Sequence, residues 1–196
     1  MSVLSRGGIV FSVAILLLLA GCSSFETKPS FPVLGKVAPF TLTDQDGKPY
    51  GMEQLQGRVW IADFFFSNCP GPCPRMSSLM SDIQAQTKDI DELRIVSITV
   101  DPERDTPEAM KAYAKRYGAI DGRWQFLTGP MEVLHRLASK DFMLFDVDGS
   151  LQHSTRFALI DREGQIRAYY TTGEDGSYAR LPGDVRTLIA ESSAKP

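Results

Sequence analysis

Apolar and polar residues fall in blocks along this chain, and the blocks predict an ordered series of elements. Ile9 to Ala20 is apolar except for Ser12 and follows Arg6. The run is shorter than the ~20 residues that a membrane-spanning helix needs, and it has the form of the apolar centre of an export signal. It ends in Leu19-Ala20-Gly21-Cys22, which resembles a bacterial lipobox, whose cysteine is diacylated and becomes the first mature residue. Residues 1–21 are therefore expected to be a lipoprotein signal peptide. Ser23 to Pro32 is polar and carries Pro29 and Pro32, so 22–32 is expected to be a tether. Residues 33–196 are expected to form one domain.

Within that domain Phe40 to Leu42 is a short strand candidate, and Asp46-Gly47 marks a turn. Arg58 to Phe66 is a nearly unbroken apolar run, which suits a central strand buried on both faces. Met76, Leu79, Met80 and Ile83 recur at helical spacing and predict one buried stripe. Leu93 to Val100 reads as a second strand. Thr106 is a good N-cap, Pro107 fits the first helical position and Gly118 can end the helix. Met110, Tyr113, Ala114 and Tyr117 would form its apolar face. Trp124 to Leu127 follows as a strand and Met131 to Ser139 as a helix. Thr155 to Ile160 and Gln165 to Tyr170 predict a hairpin turned by Arg162-Glu163-Gly164, and Pro182 to Ala190 a last helix. Strand–helix alternation followed by a hairpin predicts an α/β domain. Its central sheet is mixed and flanked by helices, parallel pairing coming first and antiparallel pairing last.

Charge narrows the partners. The formal net charge is −3 and no Lys/Arg run stands out, so nucleic acid, which needs a basic surface, is not expected. Three cysteines are an odd number for an exported protein. Assigning Cys22 to lipid leaves one pair, Cys69 and Cys73.

That pair carries the chemistry. Cys69-Pro-Gly-Pro-Cys73 lies between a buried strand and a predicted helix. Two thiols at this spacing can close a disulfide or chelate one soft ion. If Cys73 enters the helix, the helix N-terminus is expected to lower the pKa of nearby thiols. Two cysteines leave a metal site incomplete, and imidazole is the usual third ligand. There are two histidines. His135 falls on an expected surface helix and is expected to be a solvated or satisfied residue. His153 sits just before the strand Thr155 to Ile160. Asp63, inside the apolar run, is expected to be a buried carboxyl that either takes a proton from a cysteine or is simply hydrogen-bonded. Asp101, opening a Pro-containing loop, either shapes the site from behind or only makes a turn. Met76 and Met80 could offer thioethers, but their stripe favours core packing. Asp44-Gln-Asp-Gly and Asp146-Val-Asp-Gly look like starts of calcium loops. Leu55 and Phe157 stand where a ligating Glu is required, so both are expected to be turns.

Three segments together resemble the Sco/SenC family: Ala62 to Pro74 (ADFFFSNCPGPCP), Val100 to Glu108 (VDPERDTPE) and His153 to Asp161 (HSTRFALID). The resemblance runs roughly from Phe40 to Tyr170. It implies a thioredoxin-like fold that binds copper, as Cu(I) or Cu(II), through Cys69, Cys73 and His153. It also implies a role as an assembly factor for the CuA centre of cytochrome c oxidase, with the oxidase subunit that carries CuA as partner. A lipidated Cys22 would hold the domain on the extracytoplasmic side of the cell membrane. The same cysteines allow a second expectation, a membrane-anchored thiol-disulfide oxidoreductase with Cys69 and Cys73 as catalytic residues. A third is a structural module with an inert disulfide. The spacing departs from the C-x-x-C of thioredoxins, and Phe64 to Asn68 lacks the Pro and Thr that peroxiredoxins place before their reactive cysteine.

Overall fold

The computed structural model describes residues 31–144, 155–173 and 176–193. In chain order the elements are β1 (Gly35–Lys36), β2 (Thr41–Asp44), β3 (Pro49–Gly51), α1 (Met52–Leu55), β4 (Trp60–Phe65), α2 (Pro72–Gln86), β5 (Arg94–Thr99), α3 (Pro107–Arg116), β6 (Trp124–Thr128), α4 (Met131–Arg136), β7 (Arg156–Ile160), β8 (Gln165–Thr171) and α5 (Leu181–Ser193). Among the described residues the strands form one sheet in the order β1-β8-β7-β4-β5-β6-β2-β3. β4, β5 and β6 pair in parallel, while β7 and β8 are antiparallel to their neighbours.

β4 is central because its sequence can be buried on both faces, and all six of its residues are. Val59, Ile61 and Phe65 point to one layer, with Met76, Met80 and Ile83 of α2, Met110 and Tyr113 of α3, and Val185 and Leu188 of α5. Trp60, Ala62 and Phe64 point to the other, with Leu55 of α1, Leu134 of α4 and Phe142. The period of two along the strand thus feeds two separate cores. Met76 and Met80 are wholly buried, as core packing predicts. The α3 start is as expected: the Thr106 hydroxyl accepts the Ala109 N–H at 3.3 Å, and Pro107 opens the helix.

Three differences from the sequence expectations have physical causes. Pairing does not begin in parallel, because β2 and β3 form an antiparallel hairpin docked antiparallel on β6. Gly51 makes that hairpin possible, since a Cβ there would lie 2.1 Å from the Phe40 carbonyl oxygen. β1 adds a two-residue edge beside β8. The helix expected from Met131 to Ser139 is α-helical only to Arg136, and Leu137–Asp141 forms a π-helical turn. The Phe142 N–H donates to the Leu137 carbonyl at 2.8 Å. This wider turn accompanies an edge-on seat for the Phe142 ring against Trp60 and Phe64, with centroids 6.0 and 5.3 Å away.

Asp44-Gln-Asp-Gly is a turn as expected. The Asp44 carboxylate accepts the N–H groups of Asp46 and Lys48, both at 2.9 Å. Asp146-Val-Asp-Gly lies outside the described residues. No helix of the described residues is long and apolar enough to cross a membrane.

Candidate metal centre

The cysteines sit at the C-terminal end of β4, where the chain leaves the sheet to enter α2. Cys69 is in the connecting loop, and its N–H donates to the Phe66 carbonyl at 3.2 Å. Pro72 and Cys73 are the first two residues of α2, where the missing N–H of proline costs no helical bond. Both cysteines are free thiols and buried, Cys69 6% exposed and Cys73 not at all. The two thiols are close enough for Cys69 to act on the Cys73 proton.

The expectation of a lowered thiol pKa fails at Cys73. Burial pushes its thiol up to about 12, and the hydrogen bond with Cys69 adds to the rise. A backbone hydrogen bond from Phe66 acts the other way, and the charges of Cys69 and Asp63 raise the value further. The helix N-terminus acts locally, but Cys73 faces the core layer that α2 shares with α3, and desolvation wins.

Asp63 is on the same face of β4 as Ile61 and Phe65, and it is wholly buried. Its Oδ1 accepts the Ser97 hydroxyl at 2.5 Å, and Ser97 Oγ in turn accepts the Trp124 indole N–H at 2.9 Å. Its Oδ2 has no partner among the described residues. Burial pushes this carboxyl up to about 7, against the lowering hydrogen bonds from Ser97 and its own backbone. Of the two sequence alternatives, the hydrogen-bonded one describes Oδ1, and Oδ2 is left where a proton can reside.

Asp101 makes a turn: its N–H donates to Thr99 Oγ at 2.9 Å and its carboxylate pairs with Arg104 at 2.6 Å. Sequence reasoning missed Asp105, four residues on. Asp105 is fully buried and accepts the Ser67 N–H at 3.2 Å on each oxygen, the Ser67 hydroxyl and the Thr99 hydroxyl. A carboxylate directly before an N-cap Thr was the available signal, but it does not reveal partners from two other segments.

His135 is exposed on α4, as expected. His153 and Cys22 lie outside the described residues. Among the described residues no group of three or more His, Cys, Asp or Glu side chains could hold a metal ion. The structure therefore brings together Cys69 and Cys73. Two neighbouring sulfur donors suit a soft ion.

The SCO1/SenC family model matches residues 33–189. This chain belongs to the SCO1/SenC family. The SCO1 protein homolog of Bacillus subtilis is 35% identical over 180 residues, 88% of this chain and 92% of that one. A SCO1/SenC family lipoprotein from Bacillus anthracis superposes with a TM-score of 0.73 at 32% identity, covering 81% of this chain and 97% of that one. BsSco, a member of the Sco family of cytochrome c oxidase assembly proteins in which a disulfide switch was identified, gives 0.71 at 34%, covering 86% and 98%. Copper-bound ScoI of Bradyrhizobium japonicum gives 0.64 at 27%, covering 78% and 99%. The fold is the thioredoxin-like one that the sequence resemblance implied.

Proposed function

We propose that this SCO1/SenC chain binds one copper ion through Cys69, Cys73 and His153 and serves assembly of the CuA centre of cytochrome c oxidase. The observation that carries the reading is the pair of free, buried, neighbouring thiols at the β4–α2 junction in a chain of this family. Thiolates favour Cu(I), and an added imidazole permits Cu(II). Copper bound to ScoI and oxidase assembly in the BsSco family point the same way. His153 is supported by its place in sequence. It stands three residues before β7, whose antiparallel register with β4 (Ala62 opposite Ala158) brings Arg156 to the cysteine end of the sheet. Both thiols must lose their protons to ligate, and Cys73 holds its proton well above neutrality, so apparent affinity rises with pH. Cys22 would anchor residues 22–32 as a lipidated tether to the extracytoplasmic face of the cell membrane, a reading supported by the lipoprotein relative.

The closeness of the two free thiols also favours a second reading, thiol-disulfide exchange by Cys69 and Cys73. One experiment on the full-length chain, extracted from membranes in detergent, addresses these points. The isolated protein should start at a diacylated Cys22 by mass. After reduction it should take one equivalent of copper, with thiolate-to-Cu(II) charge-transfer bands. His153→Ala should lose those bands, retain most Cu(I) binding and still form the Cys69–Cys73 disulfide. Equal copper binding by the Cys69→Ala, Cys73→Ala variant would end the copper reading. An intact Met1 without lipid would end the anchor. Wild-type Cu(II) bands in His153→Ala would leave thiol-disulfide exchange as the better account.

A further inference from the structure

We propose that Asp105 is a positioning residue for Cys69, holding the cysteine loop in its ligating conformation from the segment between β5 and α3. The inference deepens the reading of the cysteine pair as the functional site and rests on it.

Within the loop from Phe66 to Pro72 the Cys69 N–H donates to the Phe66 carbonyl, and the residues that follow add little to hold it. Pro70 and Pro72 have no N–H to donate, and Gly71, at the entry to α2, offers no side-chain cap. Ser67, two residues before Cys69, supplies what the loop lacks. Its N–H and its hydroxyl both donate to Asp105, which is 38 positions away in sequence and sealed from solvent. The same carboxylate takes the hydroxyl of Thr99, the last residue of β5. One buried group therefore ties the loop to the end of the neighbouring strand.

Asp105 is itself fixed. Its N–H donates to the Asp101 carbonyl at 2.9 Å, and the next residue, Thr106, caps α3. α3 then reaches the other cysteine's helix through Tyr113, whose hydroxyl lies 2.9 Å from Ser77 Oγ on α2. The loop bearing Cys69 and the helix bearing Cys73 are thus both referenced to the segment that contains Asp105. Hydrogen bonds to a carboxylate are the strong ones, and a buried carboxylate is a costly way to gain stability alone. A site that must hold two sulfurs at one separation has a use for it.

The test compares full-length wild type with Asp105→Asn, Ser67→Ala and a control, Ile160→Val, which removes one methyl from the opposite core layer. Each reduced protein is treated with iodoacetamide, and modification of Cys69 is timed by mass spectrometry. The Cys69–Cys73 disulfide is equilibrated in glutathione buffers, and copper is titrated. Asp105→Asn should speed Cys69 modification by about tenfold, the scale of one lost hydrogen bond to a charged acceptor. It should also shift the thiol-disulfide equilibrium and weaken copper binding by a similar factor. Ser67→Ala should do the same to a smaller extent, and Ile160→Val should do neither. If Asp105→Asn does not fold, Ser67→Ala alone decides. Wild-type modification rates and disulfide equilibrium in the folded variants, or an equal change in Ile160→Val, would overturn the assignment. Wild type that takes up no copper would overturn the copper reading, and the alkylation and disulfide results, which need no metal, would still decide on Asp105.

Discussion

Asp63 and Asp105 are both fully buried, yet the structure treats them in opposite ways. Asp63 sits in the middle of β4 among apolar side chains, with one oxygen hydrogen-bonded to Ser97 and the other unpartnered. Asp105 sits at the mouth of α3, where Ser67 and Thr99 supply donors to both of its oxygens. The first is raised in pKa by its surroundings and keeps a proton near neutrality. The second organises three segments of backbone. Burial alone therefore does not say what an acidic residue is for. The donors around it do.

The largest effect expected from this contrast is at Asp105. Asp105→Ala leaves the Ser67 N–H and two hydroxyls without their acceptor, and each orphaned group costs about 1–3 kcal/mol. A loss of about 3–6 kcal/mol in urea unfolding is expected. A loss below about 1 kcal/mol would break the contrast, because Asp105 would then be no better integrated than Asp63.

Asp63→Asn should act with the opposite sign. The folded protein holds the Asp63 proton up to about 7, against an ordinary value near 3.8. The stability this brings is complete below pH ~4 and is lost as pH rises toward 7. Asparagine has no proton to lose. The variant should match wild type near pH 4 and exceed it at pH 8, by on the order of 2–4 kcal/mol. Thermal unfolding across that range reads the difference, and a pH-independent offset between the two proteins would remove the account. Ser97→Ala sharpens it with the smallest change, about 1–2 kcal/mol, since one net hydrogen bond to Asp63 is lost and the Trp124 N–H is left unpaired. The fall in stability should start at the same pH but continue to a higher pH in this variant, because the donor that lowers the Asp63 pKa has gone.

Much of this fold is legible in the residues. The run from Arg58 to Phe66 announces a strand covered on both faces, and Thr106-Pro107 announces a helix start, because both signals are local. β1, β3 and α1 have two, three and four residues, too few for any period to show. At the site, Cys69 and Cys73 are legible from spacing and setting, while His153 depended on family resemblance. Asp63 stands out as a charge in an apolar run, but Ser97 and Trp124, which set its behaviour, come from two other strands. Asp105 gives still less away, since its donor Ser67 is brought to it only by the parallel pairing of β4 with β5. The rise in the Cys73 pKa was hidden for the same reason. The helix start is written in the sequence, and the depth at which it is packed is not.

The ends of the sheet bear on how many copies can share a surface. A strand with a free side is a template on which another chain can pair. Among the described residues one end is β1, two residues long, and the other is β3, three residues that begin with Pro49. Proline offers no N–H to an incoming strand, and two or three residues give a docking ladder almost no length. Two copies brought side by side would therefore find little backbone on the described edges through which to pair.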